Sequence, residues 1–312
     1  MYALLLALAL VPWPGVVHLD TEDRTMEHNG KPRTYRLHVP SGLKAGKPIP
    51  LVIVLHGFGA NGKITELLTC FTPLADKHGF AVVYPDGLMS MWRFWEGDGS
   101  AAKLKVVRQK AAQTDGVGFI ENLIDRLIKE GIADPRRVYV TGISNGAYMT
   151  HRLGCDLGDK IAAIAPVAGT IAKPMSESLK PPRPMPVVYF HGTEDKLISP
   201  QGADLFSKRA ISLSADDLAA WWAKHNDCAD EPKVEQLTDK TDDGMTVQRK
   251  TFAAGKAGAP VVFYEIRGGG HTWPDGNLQP EVLLGKSTRD INASEIIWEF
   301  FSKYTLPESK AK

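Results

Sequence analysis

The chain has 312 residues, 43% of them hydrophobic and 23% charged, which is enough apolar material for a large packed core and excludes disorder as the default. Its 37 basic residues nearly cancel its 36 acidic ones, leaving a formal net charge of +1. The basic residues are scattered, so no electrostatic footprint for nucleic acid or an anionic membrane surface results, and a small-molecule or oligomeric partner is expected.

The first stretch, MYALLLALALV (1–11), is apolar and stops at Pro12-Trp13-Pro14-Gly15. It is too short for the ~20 residues of a membrane helix. It reads as the apolar region of a signal peptide over 1–15, so the expected location is secreted or periplasmic, with no stable membrane span. Further on, YRLHV (35–39) alternates and is expected at a sheet edge, whereas PLVIVL (50–55) is continuously apolar, as in a strand covered on both faces. The same signal returns in FAVVY (80–84), RVYVT (137–141), AAIAPV (162–167), VVYF (187–190) and VVFYEI (261–266). Helical periodicity occupies 64–78, 116–130, 145–153, 214–225 and 290–303. This alternation predicts one α/β domain over 21–306, a mostly parallel sheet with helices on both faces. Sheets of that kind bind ligands beyond the carboxyl ends of their strands, so the segments that follow strands are where chemistry is sought.

After RVYVT comes Gly142-Ile143-Ser144-Asn145-Gly146, a G-x-S-x-G followed by a helical pattern. A nucleophilic serine on a strained strand-to-helix turn needs small neighbours, because larger side chains at the flanking positions collide. Ser144 is therefore the candidate nucleophile. Taken by itself, the same pentapeptide also fits a Gly-rich turn that happens to carry a serine.

A serine nucleophile needs a base, and in an elbow of this type the acid and then the histidine follow it in the chain. Four histidines follow Ser144. His151 and His225 fall inside helical patterns, and His191 precedes the best acid candidate. His271 follows the last strand in GGGHTWP (268–274), where glycines let a loop fold close, and is the candidate base. The strand 187–190 runs into His191-Gly192-Thr193-Glu194-Asp195, which offers Asp195 as the acid, with Glu194 as the alternative.

The strand 50–55 runs into His56-Gly57-Phe58-Gly59. Acyl transfer needs backbone N–H donors aimed at a developing oxyanion, and the amides of Phe58 and Asn145 are the candidates. His56 reads as a structural histidine that pins this loop. Trp92 and Trp95, in MWRFWE (91–96), and Trp273, beside the candidate base, offer flat rings for a sugar or an aromatic acyl group, although core packing suits them equally.

Taken together, VIVLHGFG (52–59), VYPDG (83–87), DGVGFI (115–120), DPRRVYVTGISNG (134–146), APVAG (165–169), HGTED (191–195) and GGGHTWP (268–274) resemble the polyhydroxybutyrate depolymerase and feruloyl esterase family. These are α/β-hydrolases related to carbohydrate esterase family one, and the resemblance runs from about Asn29 to Tyr304. It implies an α/β-hydrolase fold and a serine carboxylic-ester hydrolase with Ser144, Asp195 and His271 as its triad. It also implies an acyl-enzyme, no metal or organic cofactor, and polyhydroxybutyrate-type oligoesters or feruloyl and acetyl sugar esters as substrates. A serine peptidase of the same fold and a non-catalytic carbohydrate-binding protein are the alternatives. Two departures from the family pattern stand out: Gly116 where many members carry a second acidic residue, and Gly255 where relatives often have a cysteine that could pair with one resembling Cys228. No Ser/Thr-rich linker or polymer-binding module follows 304, which favours soluble esters over crystalline polyester as the expectation.

Overall fold

The structure, a computed structural model, describes residues 20–41, 47–94, 115–203 and 212–308. The apolar N-terminal run and Trp95 lie outside the described residues. Ten strands appear in chain order: β1 (Glu22–His28), β2 (Lys31–His38), β3 (Ile49–Leu55), β4 (Ala81–Pro85), β5 (Ala133–Ile143), β6 (Ala163–Val167), β7 (Val187–Gly192), β8 (Lys233–Gln236), β9 (Thr246–Phe252) and β10 (Val261–Arg267). They form one sheet in the order β1-β2-β4-β3-β5-β6-β7-β10-β9-β8. The six central strands run parallel, and an antiparallel pair closes each end: β1 and β2 on one side, β9 and β8 on the other.

The centre of the sheet is buried on both faces because its strands carry runs of consecutive apolar residues. Along β3, Leu51, Ile53 and Leu55 enter one core and Val52 and Val54 the other, as the two-residue period of a strand requires. The first face is covered by α3 (Gly116–Lys129), α4 (Asn145–Asp156) and α6 (Ala215–His225), which contribute Phe119, Leu123, Met149, Leu153 and Trp222. The opposite face is covered by α2 (Phe71–His78) and α8 (Ala293–Phe301), with Phe71, Ile297 and Phe301. The remaining short helices are α1 (Gly62–Thr69), α5 (Lys173–Ser178) and α7 (Glu281–Leu284). None of the helices among the described residues is long and apolar enough to cross a membrane.

Three details correct the sequence expectations. The alternating strand 35–39 is not at the edge: β2 pairs with β4 on one side and with β1 on the other. β1, β8 and β9 carry mostly polar side chains, so they lack the apolar run that marks a buried strand. The single helix expected over 64–78 is two helices, broken at Cys70, whose φ of 55° ends α1 in a left-handed turn.

All three cysteines are free thiols. A Cβ built on Gly255 would lie 2.0 Å from the carbonyl oxygen of Asp227, so this backbone leaves no room for a cysteine there to meet Cys228.

Candidate active site

Ser144 stands between the end of β5 and the start of α4 with φ 58° and ψ −119°, a conformation costly for any residue but glycine. The turn is held by tight packing. A Cβ on Gly146 would lie 2.3 Å from the carbonyl oxygen of Leu55, and one on Gly142 would lie 2.8 Å from Gly146 and from Leu55 Cβ. The flanking glycines are therefore a steric requirement of this backbone. Asp115, Ser214 and Asn292 cap their helices by accepting a backbone N–H. The Ser144 hydroxyl makes no such bond at the start of α4, which leaves Oγ uncommitted at the carboxyl edge of the sheet.

The candidate acid and base meet because the segments after β7 and β10 are latched together. Thr193 N–H donates to Ile266 O at 2.9 Å and Glu194 N–H to Gly269 O at 2.9 Å, while Gly268 N–H donates to Thr193 Oγ1 at 2.9 Å. Across this latch His271 Nδ1–H donates to Asp195 Oδ2 at 2.7 Å, both residues being buried. The other carboxylate oxygen, Oδ1, accepts Leu197 N–H at 2.9 Å and Ile198 N–H at 2.8 Å. Burial alone would raise the Asp195 pKa, but attraction to His271 and hydrogen bonding to His191 and His271 outweigh it and hold the carboxyl well below the usual carboxylate range. Glu194, the alternative acid, points to solvent. No direct hydrogen bond joins Ser144 to His271; in unliganded enzymes such contacts are often long and tighten only with substrate.

The loop after β3 packs on the elbow: a Cβ on Gly57 would lie 3.4 Å from Ser144 Cβ. Neither the Phe58 nor the Asn145 amide is taken up by a turn or cap hydrogen bond among the described residues, which leaves both N–H groups as available donors. His56 pins this loop as expected, with Nδ1–H donating to Gly57 O at 2.7 Å and Nε2 accepting Gly87 N–H at 2.8 Å. Burial pushes its pKa down, against the Gly57 carbonyl and Asp86, so it serves as an uncharged brace.

The tryptophans stand elsewhere than sequence suggested. Trp92 is 1% exposed, its indole N–H donates to His56 O at 3.1 Å, and its ring leans on the His56 imidazole. Trp273 is also 1% exposed, with its N–H on Ser294 Oγ at 3.0 Å and its edge toward Phe71. Neither ring offers a face to a ligand, so both are removed from the stacking role; Trp95 lies outside the described residues. Among the described residues, Phe58, in the loop that packs on the elbow, is an aromatic residue that reaches solvent, 55% exposed.

A contact that sequence reasoning missed is the clamp between Asn145 and Trp92. Asn145 Oδ1 accepts Trp92 N–H at 2.6 Å and its Nδ2–H donates to Trp92 O at 3.1 Å. Trp92 thus ties the elbow to the loop after β3, and the two candidate oxyanion donors are held in one frame. Asn145→Ala is expected to keep the fold and lower kcat on an aryl ester by about tenfold, because a loosened donor stabilises the transition state less well. Steady-state kinetics on the purified variant check this, and an unchanged kcat would show that the clamp has no bearing on turnover.

The phospholipase/carboxylesterase family matches residues 43–231. NocK from Nocardia uniformis subsp. tsuyamanensis is 28% identical over 297 residues, covering 91% of this chain and 83% of its own length. Feruloyl esterase B from Piromyces equi is 29% identical over 274 residues, covering 86% of this chain, which spans only 44% of that protein. Among solved structures, the acetyl xylan esterase from Aspergillus awamori superposes with a TM-score of 0.59 at 17% identity, over 91% of this chain and 99% of that one, a likeness of fold. On its sheet, its elbow and these matches, the chain belongs to the phospholipase/carboxylesterase family of α/β-hydrolases.

Proposed function

We propose that the protein hydrolyses carboxylic esters through an acyl-enzyme on Ser144. The observation that carries this reading is the pairing of an uncommitted serine in a strained elbow with a buried Asp195–His271 couple at the same edge of the sheet. Ser144 Oγ attacks the ester carbonyl and His271 takes its proton; Asp195 holds the imidazole in the tautomer that leaves Nε2 free to accept. The amides of Phe58 and Asn145 receive the developing oxyanion, and His271 returns the proton to the leaving alcohol. A water activated by His271 then releases the acid. None of these steps calls for a cofactor. The test is labelling by a fluorophosphonate: one equivalent attached at Ser144, with ester turnover lost in parallel, supports the reading, and turnover that survives full labelling overturns it.

We propose further that the substrates are soluble esters with short or aromatic acyl groups on a sugar or hydroxy acid, the class that includes feruloyl and acetyl sugar esters and hydroxybutyrate oligomers. Family membership and the sequence resemblance support this, and so does the exposed Phe58 ring beside the nucleophile. Palmitoyl esters are expected to be poor substrates, and Phe58→Ala to lower kcat/KM for feruloyl esters more than for acetyl esters. A kcat/KM panel over acetyl, butyryl, feruloyl and palmitoyl esters checks both. Preference for palmitoyl by more than about tenfold, roughly 1.4 kcal/mol at the transition state, would sink the substrate reading. Export to the periplasm or medium belongs to the same proposal, on the strength of the apolar run 1–11.

A further inference from the structure

The Asp195 carboxylate has a neighbour that the acyl-enzyme scheme leaves unused. His191, at the end of β7 and 2% exposed, places Nε2 2.8 Å from Ile198 O and 3.4 Å from Asp195 Oδ2. Both of those atoms are acceptors, so Nε2 carries a proton. The other ring nitrogen, Nδ1, meets the hydroxyl of Tyr189, which is itself buried and stacked on Phe263. With the proton on Nε2, the Tyr189 hydroxyl donates to Nδ1, and the orientation of the imidazole is fixed from both sides.

A closed circuit results. His191 grips the carbonyl of Ile198; the amide of Ile198 grips Asp195 Oδ1; Asp195 Oδ2 accepts from His271 and faces the His191 N–H edge. Remove the imidazole and the 195–198 turn loses one of its anchors to β7, the other being Asp195 N–H to Gly192 O, while a buried carboxylate loses one of the groups that keep it charged. A general base held by a wandering acid loses its aim, and small misplacements of catalytic groups are costly.

The geometry points to His191 as a positioning residue for the candidate triad, acting through Ile198 and Asp195 and never touching substrate. This inference rests on the proposed triad, and the experiment separates the two: Ser144→Ala tests the triad, whereas the variants below are compared with wild-type turnover. His191→Phe fills the space without the N–H, and His191→Gln keeps an N–H donor within reach of Ile198 O. His191→Phe is expected to lower kcat about tenfold with KM changed less than about twofold, and His191→Gln to recover most of that loss. In proton NMR of the Ser144→Ala background, the downfield signal of His271 Nδ1–H is expected to weaken in His191→Phe and persist in His191→Gln. Wild-type kcat in His191→Phe, or a loss that His191→Gln does not recover, overturns the inference. Should His191→Phe not fold, Tyr189→Phe serves in its place: it keeps the ring stack but frees Nδ1, and it is expected to lower kcat by about threefold, an unchanged kcat again overturning the inference.

Discussion

Ser144→Ala is expected to lower kcat on an aryl acetate by about 10³-fold or more, and His271→Ala by a comparable factor, without unfolding the protein. The reason is that neither group works without the other. The hydroxyl gains its nucleophilicity only as the imidazole takes its proton, and the imidazole has no proton to take once the hydroxyl is gone. The double variant should therefore be little worse than Ser144→Ala alone. Asp195→Asn is expected to fall nearly as far, because an amide can present its NH₂ to His271 Nδ1 and so favour the tautomer that cannot accept from serine. Kinetics on the single and double variants decide the matter, with far-ultraviolet circular dichroism as the check on folding. Losses that multiply in the double variant would assign the two residues to independent tasks and remove the triad.

The second large effect concerns acid stability and centres on His151, which lies fully buried on the inner face of α4. Its Nδ1 accepts the Trp222 indole N–H at 3.0 Å. Burial drives its pKa down to about 3, opposed by the Gly169 carbonyl, which sits outside hydrogen-bonding geometry to Nε2. The unfolded chain takes up a proton near pH 6.5 and the folded chain does not, so the unfolded state binds more protons between about 6.5 and 3. The stabilisation is complete above pH 6.5 and is lost as pH falls, at roughly 1.4 kcal/mol per unit. By pH 4.5 the loss from this one residue is on the order of 2–3 kcal/mol, a large share of the total stability of a typical domain. His56, also pushed down by burial, adds in the same direction. Asp195, held below its ordinary range, contributes stability that is lost only below about pH 4, at the acid end of the histidine window. Urea unfolding at pH 7 and 4.5 checks this against His151→Gln, which can still accept from Trp222 but has nothing to titrate. The variant is expected to lose on the order of 2–3 kcal/mol less than wild type between the two pH values. Equal losses would place the acid sensitivity elsewhere.

What could be read from sequence follows the range of the interactions involved. The elbow was legible because its requirements sit within five residues: a buried strand, two glycines that a methyl group would drive into Leu55 or its neighbours, and a helix beginning at Asn145. The six parallel strands were legible because burial on both faces leaves an uninterrupted apolar run. β1, β8 and β9 were not, since a strand at the end of a sheet has a solvated face and its pairing partner supplies what its own side chains do not declare. The tryptophans illustrate the same limit. Nothing in MWRFWE states whether a ring faces water, and Trp92 is buried by contacts with His56, 36 positions away. The Asn145 clamp spans 53 positions and the Asp195–His271 bond 76, and only chain order in a known type of hydrolase brought the latter pair together beforehand.

The latch between the segments after β7 and β10 has a consequence for how this protein matures. The candidate acid and base meet only when β10 has docked beside β7, a parallel pairing that bridges some 70 residues of intervening chain. The strands up to β6 and the elbow between β5 and α4 do not depend on that pairing. The elbow is nevertheless inert, because Asp195 has no imidazole to hold until residues 266–269 meet 193 and 194. Ester turnover is therefore a late clock in the life of each molecule. On the proposed triad, a chain in which β10 has not yet paired with β7 would lack the couple that activates Ser144.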